Sequence, residues 1–286
     1  MRRIIGREVF DGKPVPGEYT LTLHELGNGH REAVVSDVIG WEHVATLSDV
    51  DLDHFRAKGY DDRGLSAEDH AERHLANRRR AARRATTRVR RSCKWLALDT
   101  MLTLTYRENM LDQARCKLHM REFIRRLRRL IPGFPYVAAF ERQKRGAWHV
   151  HLAVQRLPLW LPWGSAVKVK SFNVIRAIWR DVTGECGGNI DASRRKRFSQ
   201  RSPGKLAAYL SKYMLKAFED GDDWSNRYTA SAHTVPDGVK AVFTGTSMRE
   251  MVELAYAFAA DGPCEVGTFM SRFGDLFFIS TEGPPG

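Results

Sequence analysis

The feature that most narrows what this chain can fold into is the run Phe140-Glu141-Arg142-Gln143-Lys144-Arg145-Gly146-Ala147-Trp148-His149-Val150-His151-Leu152. Two histidines separated by one apolar residue, set among Trp, Val and Leu, fit a β-strand. Side chains alternate between the faces of a strand, so His149 and His151 point the same way. The preceding run Tyr136–Phe140 is a second strand candidate. Lys144-Arg145-Gly146 between them reads as a three-residue hairpin loop with glycine where a positive φ is needed. In that register Glu141 lies opposite His149, and three side chains converge on one face. A two-residue loop would instead turn Glu141 to the other face. A carboxylate and two imidazoles so grouped can hold a divalent cation and leave positions open for substrate oxygens. His-x-His pairs on strands also occur with no ligand role, so the remaining stretches decide between the two.

Charge narrows the partner. The 286 residues carry 46 Lys+Arg against 34 Asp+Glu, a net +12, and a pI of about 9.8, which favours a polyanion such as nucleic acid or an anionic membrane surface. No apolar run approaches membrane-spanning length, and the N-terminus Met-Arg-Arg-Ile-Ile-Gly lacks a signal-peptide core, so a cytoplasmic protein with no membrane partner is expected. Cys93, Cys116, Cys186 and Cys264 lack metal or redox spacing and read as reduced thiols.

Four regions follow from the pattern. Residues 1–65 carry a strand candidate at Glu18–His24 and turn signals at Gly27–Gly29 and Asp61–Gly64; His24, His30, His43 and His54 are too dispersed to make a site. Residues 66–97 read as a basic helix with Ser66 as its cap and Glu68 and Asp69 in its first turn. Arg78, Arg79, Arg80, Arg83, Arg84, Arg88, Arg90, Arg91 and Lys94 fall in it, with no acid between Asn77 and Leu98. A solvated helix could carry such a run, but neighbouring cations repel one another, and a nucleic-acid backbone relieves that repulsion by counterion release.

Residues 98–220 predict the central domain. Leu98–Tyr106 is a strand with Leu102 and Leu104 alternating against Thr103 and Thr105. Asp112–Ile131 is a helix with the apolar stripe Met120, Phe123, Ile124, Leu127, Leu130 and Ile131 and arginines opposite. Strand, helix and hairpin together open a sheet covered by helices on one face. Ala138, Phe140, Trp148, Val150 and Leu152 supply the packing surface, and the ligands lie on the other face. Further on, Ser171–Trp179 reads as a helix capped near Ser171, and Gly187–Ser193 as a strand on which Asp191 is a spare carboxylate. The fold class is therefore α+β, a central antiparallel sheet flanked by helices with N- and C-terminal extensions. Residues 221–286 follow an acidic stretch (Glu219–Asp223) with a helix at Met248–Ala260 and strands near Val266–Phe269 and Asp275–Ser280; they either complete the central packing or form an accessory unit.

The second informative stretch is Ser202–Phe218. Ser202 as cap and Pro203 at the first helical position start a helix whose buried face is Leu206, Ala207, Leu210, Met214, Ala217 and Phe218. Lys205, Lys212 and Lys216 lie on a polar stripe, and Tyr209 and Tyr213, four apart, share the edge between the two. Two packed tyrosines satisfy the pattern; so do two phenolic nucleophiles, each followed three residues later by a lysine.

With these pieces in place the chain resembles the rolling-circle replication initiators of the HUH endonuclease superfamily, in particular the two-tyrosine type of small single-stranded DNA phages and some plasmids. Leu102-Thr-Leu-Thr-Tyr106, His149-Val-His151 and Tyr209-x-x-Lys212-Tyr213-x-x-Lys216 carry the resemblance, in the family's order, over about Leu98–Phe218. The resemblance implies Mg²⁺ or Mn²⁺ on the two histidines and an acidic residue, here Glu141. It also implies tyrosine attack on a phosphodiester of single-stranded or supercoiled origin DNA, leaving a 5′-phosphotyrosine and a free 3′-hydroxyl that the same site can rejoin. Lys212 and Lys216 would favour the phenolate, and Lys205 would join the basic helix in holding DNA. No phosphate-loop motif occurs; Pro203-Gly204-Lys205-Leu206 lacks its hydroxyl and glycine spacing, so a host helicase and polymerase are expected partners. A relaxase or transposase, a non-catalytic basic DNA-binding regulator and a nuclease that uses water are the competing readings.

Overall fold

In the computed structural model, residues 2–55, 67–163, 167–193, 202–220 and 228–283 are described. The hairpin forms in the expected register. β5 (Tyr136–Arg142) and β6 (Trp148–Val154) pair antiparallel with Glu141 opposite His149. The loop closes through Gln143 N–H donating to the Ala147 carbonyl at 2.8 Å and Gly146 N–H donating to the Gln143 carbonyl at 2.8 Å. Gly146 sits at φ 88°, a conformation that costs a side-chain-bearing residue about 1–2 kcal/mol. The three-residue loop thus keeps Glu141 on the histidine face.

Chain compactness divides the molecule into two units, Met1–Arg80 with Pro236–Pro284, and Ala81–Val235 with the last two residues. In chain order the elements are β1 (Arg2–Ile5), β2 (Glu8–Glu25), β3 (Arg31–Thr46), α1 (Asp49–Phe55), α2 (Ala67–Trp95), β4 (Thr100–Tyr106), α3 (Gln113–Leu130), β5, β6, β7 (Trp160–Trp163), β8 (Val167–Lys170), α4 (Ser171–Thr183), β9 (Gly188–Ser193), α5 (Pro203–Asp220), β10 (Tyr228–Ala230), β11 (Val239–Phe243), α6 (Met248–Ala259), β12 (Glu265–Met270) and β13 (Leu276–Glu282). The unit boundary falls inside α2.

The Ala81–Val235 unit is built on a five-stranded antiparallel sheet in the order β10-β5-β6-β4-β9. One face packs Leu102, Leu104, Ala138, Phe140, Val150 and Leu152 under α3 and α4, with Phe123 and Trp179 fully buried. Trp179 donates from its indole N–H to the Thr105 carbonyl at 2.9 Å. Its ring also lies so close to Gly188 that a Cβ there would stand 2.6 Å from it, so this strand passes beneath α4 only because Gly188 has no side chain. The other face is covered too, which corrects the expectation of helices on one side only. Leu206, Ala207 and Leu210 of α5 and Ala85, Val89 and Cys93 of α2 pack on Val137, Ala139, Ala153 and Met101. The reason is visible in β5, where Tyr136–Phe140 is an unbroken apolar run buried at every position; such a strand needs cover on both faces. Ser171 is a second correction: it is the first residue of α4, and its hydroxyl donates to the Pro158 carbonyl instead of capping the helix.

In the other unit β2 and β3 form a long hairpin around Gly27-Asn28-Gly29, all three at positive φ. β13 pairs antiparallel with β3, β12 with β13 and β11 with β2, so the N- and C-terminal stretches share one six-stranded sheet. α6 begins with a full capping box between Ser247 and Glu250 and packs Met251, Ala255 and Ala259 on Leu21, Val35, Phe277 and Ile279. The expected turn at Asp61–Gly64, the Ser66 cap and the acidic residues after Asp220 lie outside the described residues. No helix among the described residues is long and apolar enough to cross a membrane.

Candidate active site

The strand order sets the site. Across the sheet one row of residues runs Tyr228, Ala139, His151, Thr103, Asp191, and the neighbouring row contains Glu141 opposite His149. Residues of one row share a face, and a shift of two positions along a strand returns to that face. His149, His151, Glu141 and Thr103 therefore look the same way, opposite the α3–α4 core. His151 is 5% exposed and His149 8%. His151 Nε2 is 2.9 Å from Glu141 Oε2, and its Nδ1 is 3.2 Å from the Thr103 hydroxyl. His149 Nδ1 is 3.1 Å from the Gln143 amide nitrogen, while its Nε2 is buried with no hydrogen-bond partner among the described residues. Burial first, and then the charge of nearby His151, hold the His149 imidazole below the ordinary histidine pKa. It is therefore a neutral ring at physiological pH.

The tyrosine helix lies directly over this face. The Ser202 hydroxyl accepts from Lys205 N–H at 3.0 Å, so Ser202 caps α5 as the sequence predicts, and Leu206 and Leu210 seat the helix on β5 and β6. Ala139, directly opposite His151, is fully buried under this contact; its methyl group leaves room for a ring above the histidine. Tyr213 occupies that room. Its ring stacks on His151 with centroids 3.7 Å apart and planes 9° from parallel. Its hydroxyl donates to the Tyr209 oxygen at 2.6 Å, and the two phenol rings meet edge to face at 5.2 Å. Tyr209 is 37% exposed. Helical spacing alone puts the two phenols on one edge; the α5–sheet contact puts that edge on the imidazoles.

The other sequence-predicted residues fall as follows. Lys205 and Lys212 are exposed on α5, and the side chains of Met214, Lys216, Ala217 and Phe218 lie outside the described residues. Arg79, Arg80, Arg83, Arg84 and Arg88 are exposed along α2, while Arg78, Arg90 and Arg91 are partly buried. Lys94 is a correction: it is fully buried and so is not presented to a DNA phosphate. In the last turn of α2 the covered stripe widens to take in Ser92, Cys93 and Lys94 together. Asp191 is exposed, one strand beyond Thr103 in the His151 row. Thr103 and Gln143, which touch the two rings, were not singled out as site residues. The alternation of β4 marks Thr103 as facing away from the core, but its partner becomes visible only once β4 is known to lie beside β6.

The donor set suits a divalent cation in its chemistry: two imidazoles and a carboxylate on one face, one imidazole nitrogen buried and unpartnered, and the ring that carries it neutral. As the side chains stand, no three His, Cys, Asp or Glu groups among the described residues are drawn together tightly enough to hold a metal ion. Glu141 is turned to His151, and His149 to Gln143.

A family model for replication-associated proteins of the ORF2 type matches residues 99–218, a stretch that contains Glu141, His149, His151, Thr103, Tyr209 and Tyr213. No curated protein and no solved structure matches the chain. The family match supports a role in replication initiation, with DNA as the substrate.

Proposed function

We propose, from a replication-associated family match that spans the whole of the histidine and tyrosine cluster, that this protein initiates rolling-circle replication by nicking and rejoining single-stranded DNA at an origin through a tyrosine-linked intermediate. One observation carries the reading: the Tyr213 ring lies against His151, and its hydroxyl is hydrogen-bonded to that of Tyr209. A nucleophile pair and a candidate cation face at opposite edges of the sheet would have removed it.

A phenol oxygen of Tyr209 or Tyr213 attacks the scissile phosphorus as the bond to the 3′ oxygen breaks. This leaves a 5′-phosphotyrosine and a 3′-hydroxyl, and the phenolic proton lost balances the proton taken up by the leaving oxygen. Reversal by the 3′-hydroxyl rejoins the strand, because the phosphotyrosine keeps a diester at phosphorus. Free tyrosine ionises near pH 10, so the attacking oxygen needs help. Tyr213 donates a hydrogen bond to the Tyr209 oxygen and would stabilise a phenolate there, and Lys212 and Lys216 add positive charge along the same helix. The stack on His151 limits the motion of Tyr213, which favours in-line placement. Glu141, His149 and His151 would hold Mg²⁺ or Mn²⁺, which would supply Lewis-acid polarisation of the phosphate. The exposed arginines of α2 and Lys205 would hold the DNA backbone.

The test is incubation with single-stranded origin DNA and Mn²⁺ followed by a denaturing gel. A protein–DNA adduct that Tyr209→Phe/Tyr213→Phe abolishes is expected. Cleaved DNA with no attached protein would assign the chemistry to water, and EDTA-insensitive binding without cleavage would make the protein a DNA-binding regulator.

A further inference from the structure

Both imidazoles of the site are held through Nδ1 by a neighbouring side chain, and the two holds differ chemically. At His149 the Gln143 amide presents its nitrogen at 3.1 Å, because its carbonyl oxygen accepts from the Arg145 guanidinium at 3.0 Å. Gln143 therefore donates to the ring. At His151 the group is the Thr103 hydroxyl at 3.2 Å, which can accept as well as donate. The distinction matters because a neutral imidazole carries one ring proton, and only the bare nitrogen can bind a cation. Nε2 of His151 is the nitrogen on the Glu141 side, 2.9 Å from Oε2. For Nε2 to be bare, the proton must sit on Nδ1 and find an acceptor there.

Thr103 is fixed in that position by the sheet. It stands directly opposite His151 where β4 pairs β6. Its neighbours Leu102 and Leu104 are fully buried on the opposite face, so turning Thr103 away would expose two core leucines. The hydroxyl also reaches the edge of a ring whose face is covered by Tyr213. The stack and the hydrogen bond thus restrain His151 in different directions, one its tilt and the other its rotation about the Cβ–Cγ bond.

We infer that Thr103 is a positioning residue for His151: its hydroxyl accepts from Nδ1–H and holds Nε2 bare, facing Glu141, ready for a divalent cation. This rests on the metal-dependent reading above and adds a residue to it. Partners of this kind fix the tautomer and plane of a ligating histidine, and losing one typically weakens metal affinity about 10- to 100-fold.

Mn²⁺ titration of the full-length protein without DNA, followed by the electron paramagnetic resonance signal of free Mn²⁺, tests it. The wild-type protein is expected to bind one Mn²⁺ that His151→Ala loses. Thr103→Val keeps the shape and the strand preference but lacks the hydroxyl, and is expected to bind about tenfold more weakly. Thr103→Ser, which restores the hydroxyl, should return to near wild-type affinity. Thr103→Ala is a second hydroxyl-free variant should valine disturb folding, which the thermal melt of each variant reports. Adduct formation by Thr103→Val should recover when Mn²⁺ is raised, a shift in the activation constant and not in the limiting rate. Unchanged Mn²⁺ affinity in Thr103→Val, or equal losses in Thr103→Ser and Thr103→Val, overturns the inference while leaving the metal site standing. Wild-type protein that binds no Mn²⁺, or His151→Ala that binds it undiminished, overturns the metal reading and this inference with it.

Discussion

The two compact units of this chain differ most in charge. The Ala81–Val235 unit holds 31 Lys and Arg against 12 Asp and Glu, whereas the unit made of Met1–Arg80 and Pro236–Pro284 holds 15 against 22. Net charges of +19 and −7 therefore lie behind the +12 of the whole chain. The whole-chain value understates the field that a DNA strand meets at the unit with the histidines and tyrosines, and conceals that the other unit repels phosphate. The difference teaches that affinity for DNA and the candidate chemistry reside in one unit. The acidic unit brings instead a sheet formed from both ends of the chain and a helix packed on it.

The sharpest way to break this comparison is to remove chemistry from the basic unit alone. Tyr209→Phe/Tyr213→Phe should leave no covalent adduct on a denaturing gel, whereas Phe273→Ala, at an 87%-exposed position of the acidic unit, should leave adduct yield unchanged. A loss of comparable size from Phe273→Ala would show that the acidic unit takes part in the chemistry. The single variants sharpen the result. Tyr209 receives the hydrogen bond and is the more accessible phenol, so Tyr209→Phe is expected to reduce the first adduct more than Tyr213→Phe does.

A pH series is the next largest effect. His149 is held neutral by burial, so its folded-state pKa lies below the unfolded value of about 6.5. Between those two values the unfolded chain binds the proton and the folded chain does not. Stability linked to His149 is therefore fully present above about pH 6.5 and is lost as pH falls through the lower folded-state pKa. Thermal melts of the wild-type protein should decline over that window more steeply than those of His149→Asn, and adduct formation should fall with them because a protonated ring cannot ligate. Parallel declines in the two proteins would assign the acid sensitivity elsewhere.

Salt dependence measures the charge contrast directly. Each phosphate contact removed from a single strand lowers the slope of log K against log salt by about 0.7. Arg83→Ala/Arg84→Ala/Arg88→Ala, all exposed on α2, should flatten the slope by about 2 if each meets a phosphate. Asp261→Asn and Glu253→Gln in the acidic unit should not flatten it. An unchanged slope in the arginine variant would place the DNA track on another basic surface, such as the outer arginines of α3.

The smallest expected effect belongs to the acidic unit. Ser247→Ala breaks the capping box of α6, in which the serine hydroxyl accepts from Glu250 N–H at 3.3 Å, and should cost about 1 kcal/mol. A thermal melt should register it while adduct yield stays constant.

Much of the site was legible before any tertiary contact was known, because its parts are local. Gly146 and the alternation around His149-Val-His151 place Glu141 on the histidine face, and Ser202-Pro203 followed by the apolar stripe places Tyr209 and Tyr213 on one edge of a helix. The second helical layer was not read, although Tyr136-Val-Ala-Ala-Phe140 contains the signal: a run with no polar alternation is buried on both sides. Lys94 was misassigned because charge alone does not say where a helix leaves the solvent. The pairing of β3 with β13 could not be read at all, since neither strand names a partner some 240 residues away.

What the sequence determined by itself, then, is which side chains share a face of their own strand or helix, because periods of two and 3.6 residues follow from backbone geometry. Which faces meet was decided only by the tertiary structure. Tyr213 lies on His151, Thr103 reaches its Nδ1, and the two ends of the chain join in one sheet because burying apolar surface is non-directional. That driving force settles on a pairing only when every element competes for cover at once.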